Sequence, residues 1–354
     1  MSERTKRRKQ LSTHELSRSL RDIGQLSNIK TSPFLYHYTG AQALESIIQR
    51  KELWLTHASY QNDISELQYS KSVATDCLRT LSLPPLNEND ITHNSVFLNE
   101  QQYVDDFKPY LLSLTTDRDC FPLWVNYGKD DGYNIGFDTE KLYTHLRALK
   151  PKLPLFTGYP GVIFSGMVLY NEAHQRELIS FLLSKRYEYK RNGDDRRMKQ
   201  IELKLIITQY FIKNPVFEAE REFRIVILLL EKPKNTASTP EASVSHIHYR
   251  NHMGAMVPYI KIPLYPTDFV SEVTEDNEED RKRMMSEIKA HDRDIICLDD
   301  TPIRHLTIGP RNSNDQCESG AIGYLRAKGS VIKNDISLSP DKRTVMRSKI
   351  PLRF

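Results

Sequence analysis

Three short stretches carry the side chains best able to do chemistry. The first is Phe34-Leu-Tyr-His-Tyr-Thr39. In an extended strand its side chains alternate, so Leu35, His37 and Thr39 share one face and Phe34, Tyr36 and Tyr38 the other. A His and a Thr side by side at a strand end can hydrogen-bond a polar ligand; the plainer alternative is a buried strand with one satisfied histidine. The second stretch is Glu218-Ala-Glu220-Arg-Glu222-Phe-Arg224. Read as one strand, it sends Glu218, Glu220, Glu222 and Arg224 to a single side. Carboxylates crowded on a buried face are costly, so this end must be solvated or border a polar cleft. A carboxylate there can orient hydroxyls, act as a general base or stabilise positive charge. The alternative is an ordinary charged strand end. The third is Leu123-Trp-Val-Asn-Tyr-Gly128, where Trp124 and Tyr127 fall on one side of a short helix. Aromatics so spaced serve a core or a ligand platform.

Weaker constellations surround these. Asn62 and Asp63 precede a helix start and are explained as turn and cap residues. His246, His248 and His252 offer imidazoles without carboxylate or thiolate support, so no metal site is expected there. Ser165 lacks the flanking glycine of a nucleophile elbow. Cys77, Cys120, Cys297 and Cys317 form no Cys-x-x-Cys pair and no dense disulfide frame. Gly309-Pro310-Arg311 reads as a turn with a surface arginine.

The elements that must position these groups follow from periodicity and punctuation. Strands are predicted at 34–39, 52–56, 111–115, 133–137, 161–170, 218–230, 259–264, 303–308 and 330–337. Helices are predicted at 41–50, from Asp63 to about 80, at 121–128, and near 317–328. Residues 172–213 should form two helices broken at Arg191–Arg197, where Asn-Gly-Asp-Asp interrupts the apolar pattern. Residues 231–258 read as a loop or insertion. Short strands with irregular connections favour α+β over a doubly wound sheet. Neither a Rossmann fingerprint nor a P-loop is present.

Composition narrows the setting. The 354 residues carry 50 basic and 46 acidic side chains, a net charge of +4 that does not by itself argue for nucleic acid. Basic residues crowd positions 4–9, and residues 1–30 read as a basic, partly disordered tail. No apolar run reaches the roughly 18 residues needed to span a bilayer. With no apolar signal core at the start and few cysteines, a cytoplasmic setting is expected.

A set of motifs recurs in fixed order: Leu35-Tyr-His-Tyr-Thr39, Leu53-Trp54-Leu55, Asn62-Asp63-x-x-Glu66, Leu123-Trp124-x-x-Tyr127, Gly132-x-x-Ile-Gly-Phe137, Glu220-x-Glu222-Phe-Arg224, Ile308-Gly-Pro310 and Ser339-Pro-x-x-Arg343. This set resembles a widespread bacterial family known only as a domain of unknown function. It covers residues 33–345; members commonly carry Trp where this chain has Phe223. A single domain over 31–347 is expected, with inserts near 86–105, 236–257 and 270–293. More distantly, the opening strand, helix and second strand resemble ADP-ribosyltransferase-like domains. That resemblance implies a split, mostly antiparallel sheet flanked by helices, with NAD as substrate and no metal. It implies cleavage of the nicotinamide–ribose bond and passage of ADP-ribose to water or to a protein or nucleic-acid acceptor, as in toxins and phage-defence effectors. It assigns catalysis to His37, Tyr127 and Glu222, and NAD contacts to His37, Thr39, Asn62, Asp63, Trp124, Glu220 and Arg224. On this view the His37/Thr39 face should look toward Glu222. The alternative from a different class is a non-catalytic sensor or interaction domain.

Overall fold

The computed structural model describes residues 32–61, 65–84, 107–128, 132–230, 247–252, 254–265, 297–335, 337–339 and 342–351. Asn62, Asp63, His246, the N-terminal tail and the expected inserts at 86–105 and 270–293 lie outside these residues.

Strand β1 (Phe34–Gly40) leads into helix α1 (Ala41–Arg50), whose Leu44 and Ile48 are buried one turn apart. Lys51 ends α1 with a left-handed backbone, φ 51°, and its N–H bonds the carbonyl of Ile47 at 2.8 Å. That reversal starts β2 (Glu52–His57). Then follow α2 (Ser65–Leu81), β3 (Phe107–Thr115), a short helical segment at 121–128 and β4 (Gly132–Asp138). Helix α3 (Thr139–Leu149), β5 (Gly161–Met167), α4 (Glu172–Arg191) and α5 (Asp195–Thr208) come next. The chain continues through β6 (Glu222–Leu230), β7 (His248–His252), β8 (Ala255–Pro263), β9 (Ile303–Ile308), α6 (Asp315–Ala327) and β10 (Val345–Arg347).

The fold is mixed α and β, built on one large, open and mostly antiparallel sheet. Among the described strand pairings β9–β10 is the parallel one, and an isolated parallel bridge joins Leu169 and Ile212. Strand β3 is the hinge of the topology. One of its edges pairs with β6 along its whole length, and β5 then pairs with β6. Its other edge is shared: β1 meets it at Thr115, and β2 meets it at Leu111 and Tyr110. The sheet therefore forks beside β3. One arm runs β1-β4-β9-β10 and the other β2-β8-β7.

Helices cover both faces. On one, α1, α3 and α6 pack Leu44, Leu142, Leu146 and Leu325 against Leu35, Leu112, Ile135 and Ile225. Each such side chain contributes roughly 1.5–3 kcal/mol by leaving water. On the other, Ile207 of α5 packs with Leu111, Phe164 and Val226. Above them α2, α4 and α5 bury Val73, Leu178 and Leu205 together.

Three sequence expectations are corrected. The strand expected from 218 begins at Glu222, because Arg221 adopts φ 43° and Pro215–Glu220 forms a 3₁₀ turn. Glu218, Glu220 and Glu222 are thus not three positions of one strand face. Residues 248–252 and 255–257, expected in a loop or insert, supply β7 and the start of β8. The last strand is β10, not 330–337; residues 330–335 bond to it and to its approach, with the Val345 N–H on Asn334 Oδ1 at 2.8 Å.

Candidate functional site

The register decides which side chains meet. Tyr36 stands opposite Thr115, and Thr115 opposite Glu222. Antiparallel partners project to the same face. Tyr36 and Tyr38 therefore share the Glu222 face, together with Ser113 and Arg224. His37 and Thr39 project to the opposite face with core residue Leu35. The expectation that the His37/Thr39 face looks toward Glu222 is overturned by this register. Sequence alternation gave the two faces of β1 but could not say which one would match Glu222.

His37 sits at the fork, its Nδ1 3.2 Å from the Ser113 carbonyl oxygen. Burial lowers its pKa; the Ser113 carbonyl opposes that, and the Arg250 charge adds to it. Thr39 is buried.

Tyr38 anchors a cap formed by residues 116–128. Its hydroxyl donates to the Asp117 carbonyl at 3.0 Å and accepts from the Cys120 N–H at 2.7 Å. Trp124, 2% exposed, meets the Tyr38 ring edge-on and donates Nε1–H to Asp119 Oδ1 at 2.7 Å. Glycines let this indole seat: a Cβ on Gly309 would come within 3.0 Å of it and 2.7 Å of the Gly132 carbonyl oxygen. Trp124 is thus a packing residue, while Tyr127 is exposed at the end of the same segment. The cap lies on the Glu222 side, its Thr116 N–H bonded to the Arg221 carbonyl at 3.2 Å.

Glu222 is the centre of a buried ion-pair cluster. Arg224 Nε reaches Glu222 Oε1 at 2.5 Å, and its Nη2 reaches Glu222 Oε2 at 2.9 Å and Glu66 Oε2 at 2.6 Å. Lys213 Nζ contacts Glu66 at 2.8 Å, Glu220 at 2.7 Å and Glu222 at 3.2 Å. Glu222 is 4% exposed. Burial pulls its pKa upward, but Arg224 and Lys213 outweigh that and hold the carboxyl down to about 2. With Ser113 also bonding it, both oxygens are taken; a carboxylate offers about four acceptor positions. Glu220 moves the other way: burial raises its pKa against the pull of Lys213.

Glu66 and Lys213 were not singled out from the sequence. Glu66 was visible only as the last position of the Asn62-Asp63-x-x-Glu66 motif. Lys213 carried no signal, because a lone lysine in a chain rich in charge reads as solvated.

Beside the cluster lies a cavity of about 200 Å³, lined by residues including Ser59, Gln61, Glu66, Gln68, Gln209 and Arg224. Gln209 is 7% exposed, and its Oε1 has no hydrogen-bond partner. A buried acceptor left unpaired costs about 1–3 kcal/mol unless something donates to it. The cavity thus combines an arginine, a carboxylate and side-chain amides. Among the described residues no group of His, Cys, Asp and Glu is arranged to hold a metal, and no helix is long and apolar enough to cross a membrane.

The site is a polar pocket set beside a buried ion-pair cluster on a forked antiparallel sheet. Within this framework, residues 123–225 match a family described as a protein of unknown function (DUF2971). The match supports a place for the chain in a domain-of-unknown-function family. It spans Trp124, Lys213, Gln209, Glu220, Glu222 and Arg224, and it leaves His37 and Glu66 outside. No curated protein and no solved structure matches the chain.

Proposed function

We propose that the protein is a ligand-sensing domain that takes a ribose-bearing or similarly hydroxyl-rich compound in the cavity beside Arg224. The observation that carries this reading is the cavity itself, which sets Arg224 and Glu66 of the ion-pair cluster among the amides of Gln61, Gln68 and Gln209. A ligand hydroxyl donates to Glu66, while Gln61 and Gln68 donate amide N–H groups to ligand oxygens. The volume of about 200 Å³ falls below the roughly 300–1,000 Å³ of pockets for drug-sized ligands. It suits a nucleoside or monosaccharide unit rather than a whole dinucleotide. Thermal shift and calorimetry with adenosine, AMP, ADP-ribose, NAD and free sugars test it. Binding by one of these, lost in Gln61→Leu, is expected; no binding across the set, or equal binding by the variant, refutes it.

A second reading is transfer of ADP-ribose from NAD to a protein or nucleic-acid acceptor, in a toxin or phage-defence setting. The fork of the sheet at β3, with His37 reaching into it, favours that reading. Its catalytic assignments weigh against it, since Glu222 is filled by cations and His37 stands on the other face. Nicotinamide release from NAD, abolished in both His37→Ala and Glu222→Gln, is the result this reading requires. All four cysteines are free thiols, which supports a reducing, cytoplasmic setting for either reading.

A further inference from the structure

We propose that the compound held in the cavity beside Arg224 carries a phosphate group, which stays at the mouth of the cavity and is bound by Arg250. Resting on the cavity reading above, this makes the ligand a phosphorylated sugar or nucleoside rather than a neutral one.

Exposure divides the cavity into a floor and a mouth. Leu111, Gln209 and Arg224 are buried, Gln61 and Lys71 are half-buried, and Ser59 and Gln68 are exposed. Arg250 stands just outside the mouth and is tied to its wall. From the edge strand β7 it reaches across β8 and donates Nη2–H to Thr56 Oγ1 of β2 at 3.1 Å. Thr56 stands opposite Leu111, and its carbonyl accepts the Gln61 Nε2–H at 3.4 Å. Leu111 and Gln61 are both wall residues, so one side chain separates the guanidinium from the cavity. Burial lowers the pKa of His37, and the Arg250 charge adds to that; the guanidinium therefore leans inward, toward the fork at β3.

Charge decides where an anion sits. The two oxygens of Glu66 are taken by Lys213 and Arg224, and the cluster behind the floor sets three carboxylates, Glu66, Glu220 and Glu222, against those two cations. Hydroxyls can face that floor, whereas a phosphate there meets an excess of negative charge. The mouth has the opposite balance, with Lys71 supplied by α2 and Arg250 by β7. Arg250 is exposed, and among the described residues no carboxylate pairs with it. Arginine carries five N–H donors in a planar fork that matches phosphate, and Thr56 takes one of them. The side chain is thus anchored without being neutralised, which lowers the ordering cost of binding an anion. The cavity volume of about 200 Å³ holds the sugar or nucleoside and leaves the phosphate outside, beside Arg250.

The test is calorimetry on the full chain with matched pairs, ribose against ribose 5-phosphate and adenosine against AMP. The phosphorylated member should bind about tenfold or more tightly than its neutral partner, as charge-assisted hydrogen bonds to arginine give. That preference should shrink as salt rises. Arg250→Gln should reduce the ratio to roughly threefold or less, with the melting temperature kept because the side chain is exposed. Arg250→Lys keeps the charge and should retain part of the preference. Equal affinities within both pairs, or a preference that survives Arg250→Gln, overturns the phosphate assignment; the cavity reading then still stands where Gln61→Leu abolishes binding. Failure of all four compounds to bind overturns both.

Discussion

Glu222→Gln separates a structural carboxylate from a catalytic one. In the folded protein Glu222 is 4% exposed and is contacted by Arg224 at two points and by Lys213 at one. Burial drives its pKa up, and the two cations more than reverse this, bringing it from an ordinary 4.5 to about 2. At about 1.4 kcal/mol per pH unit, that fall corresponds to about 3 kcal/mol of stability. Removing one partner of a buried ion pair costs about 3–5 kcal/mol by an independent route. The sign follows from linkage. A folded-state pKa below the unfolded value of about 4.3 stabilises fully above that pH and is lost as pH falls toward the folded pKa. Urea unfolding at pH 7, 5 and 3 should therefore show the variant about 3 kcal/mol less stable at pH 7, with the gap narrowing at pH 3. A variant within about 0.5 kcal/mol of the parent at pH 7, or a gap constant with pH, would refute the reasoning. An accessible catalytic carboxylate gives the opposite result, with activity lost and stability kept.

Lys213→Met leaves Glu66 and Glu222 with Arg224 and strips Glu220 of its lysine. It should cost about 3–5 kcal/mol at neutral pH, and part of this should return as the carboxylates protonate on acidification, measured by melts across pH. Gly309→Ala drives a methyl to 2.7 Å from the Gly132 carbonyl oxygen and 3.0 Å from Trp124; a loss of about 1–3 kcal/mol in denaturant melts is expected. Burial, with help from Lys108, lowers the pKa of His57 to about 4. The unfolded chain takes up that proton first, so stability should decline as pH drops from about 6.5 toward 4, and His57→Gln should flatten that part of the curve. Asp119→Ala should speed amide exchange across 116–128 while β6 stays protected, by mass spectrometry.

Local pattern carried much of the architecture. Aromatic alternation marked β1, the apolar run after Phe223 marked β6, and Asn192-Gly-Asp-Asp195 marked the break between α4 and α5. What pattern could not supply was register. His37 and Glu222 were both visible, but whether they face one another depends on Tyr36 standing opposite Thr115, a tertiary fact. The strand expected through 218–230 failed at Arg221, whose left-handed backbone has no sequence signature in a non-glycine residue. Strand β7, His-Tyr-Arg-Asn-His, lacked apolar alternation because it is an edge strand with mostly exposed side chains. The burial of Lys213, Glu66 and Gln209 was invisible for a related reason: a polar side chain declares itself buried only when its partners, distant in sequence, close around it.

The cap over Tyr38 is finished from far along the chain. Ser348 Oγ–H and the Lys349 N–H bond the two oxygens of Asp119 at 2.6 and 2.7 Å, across 229 and 230 positions. Asp119 also holds the Trp124 indole. Contacts of such separation form late, because the intervening chain must first be ordered. On a ribosome, the 116–128 segment emerges long before residues 345–349 and waits for them. The Trp124 seat therefore behaves as a completion check: it locks only after β9 and β10 have docked.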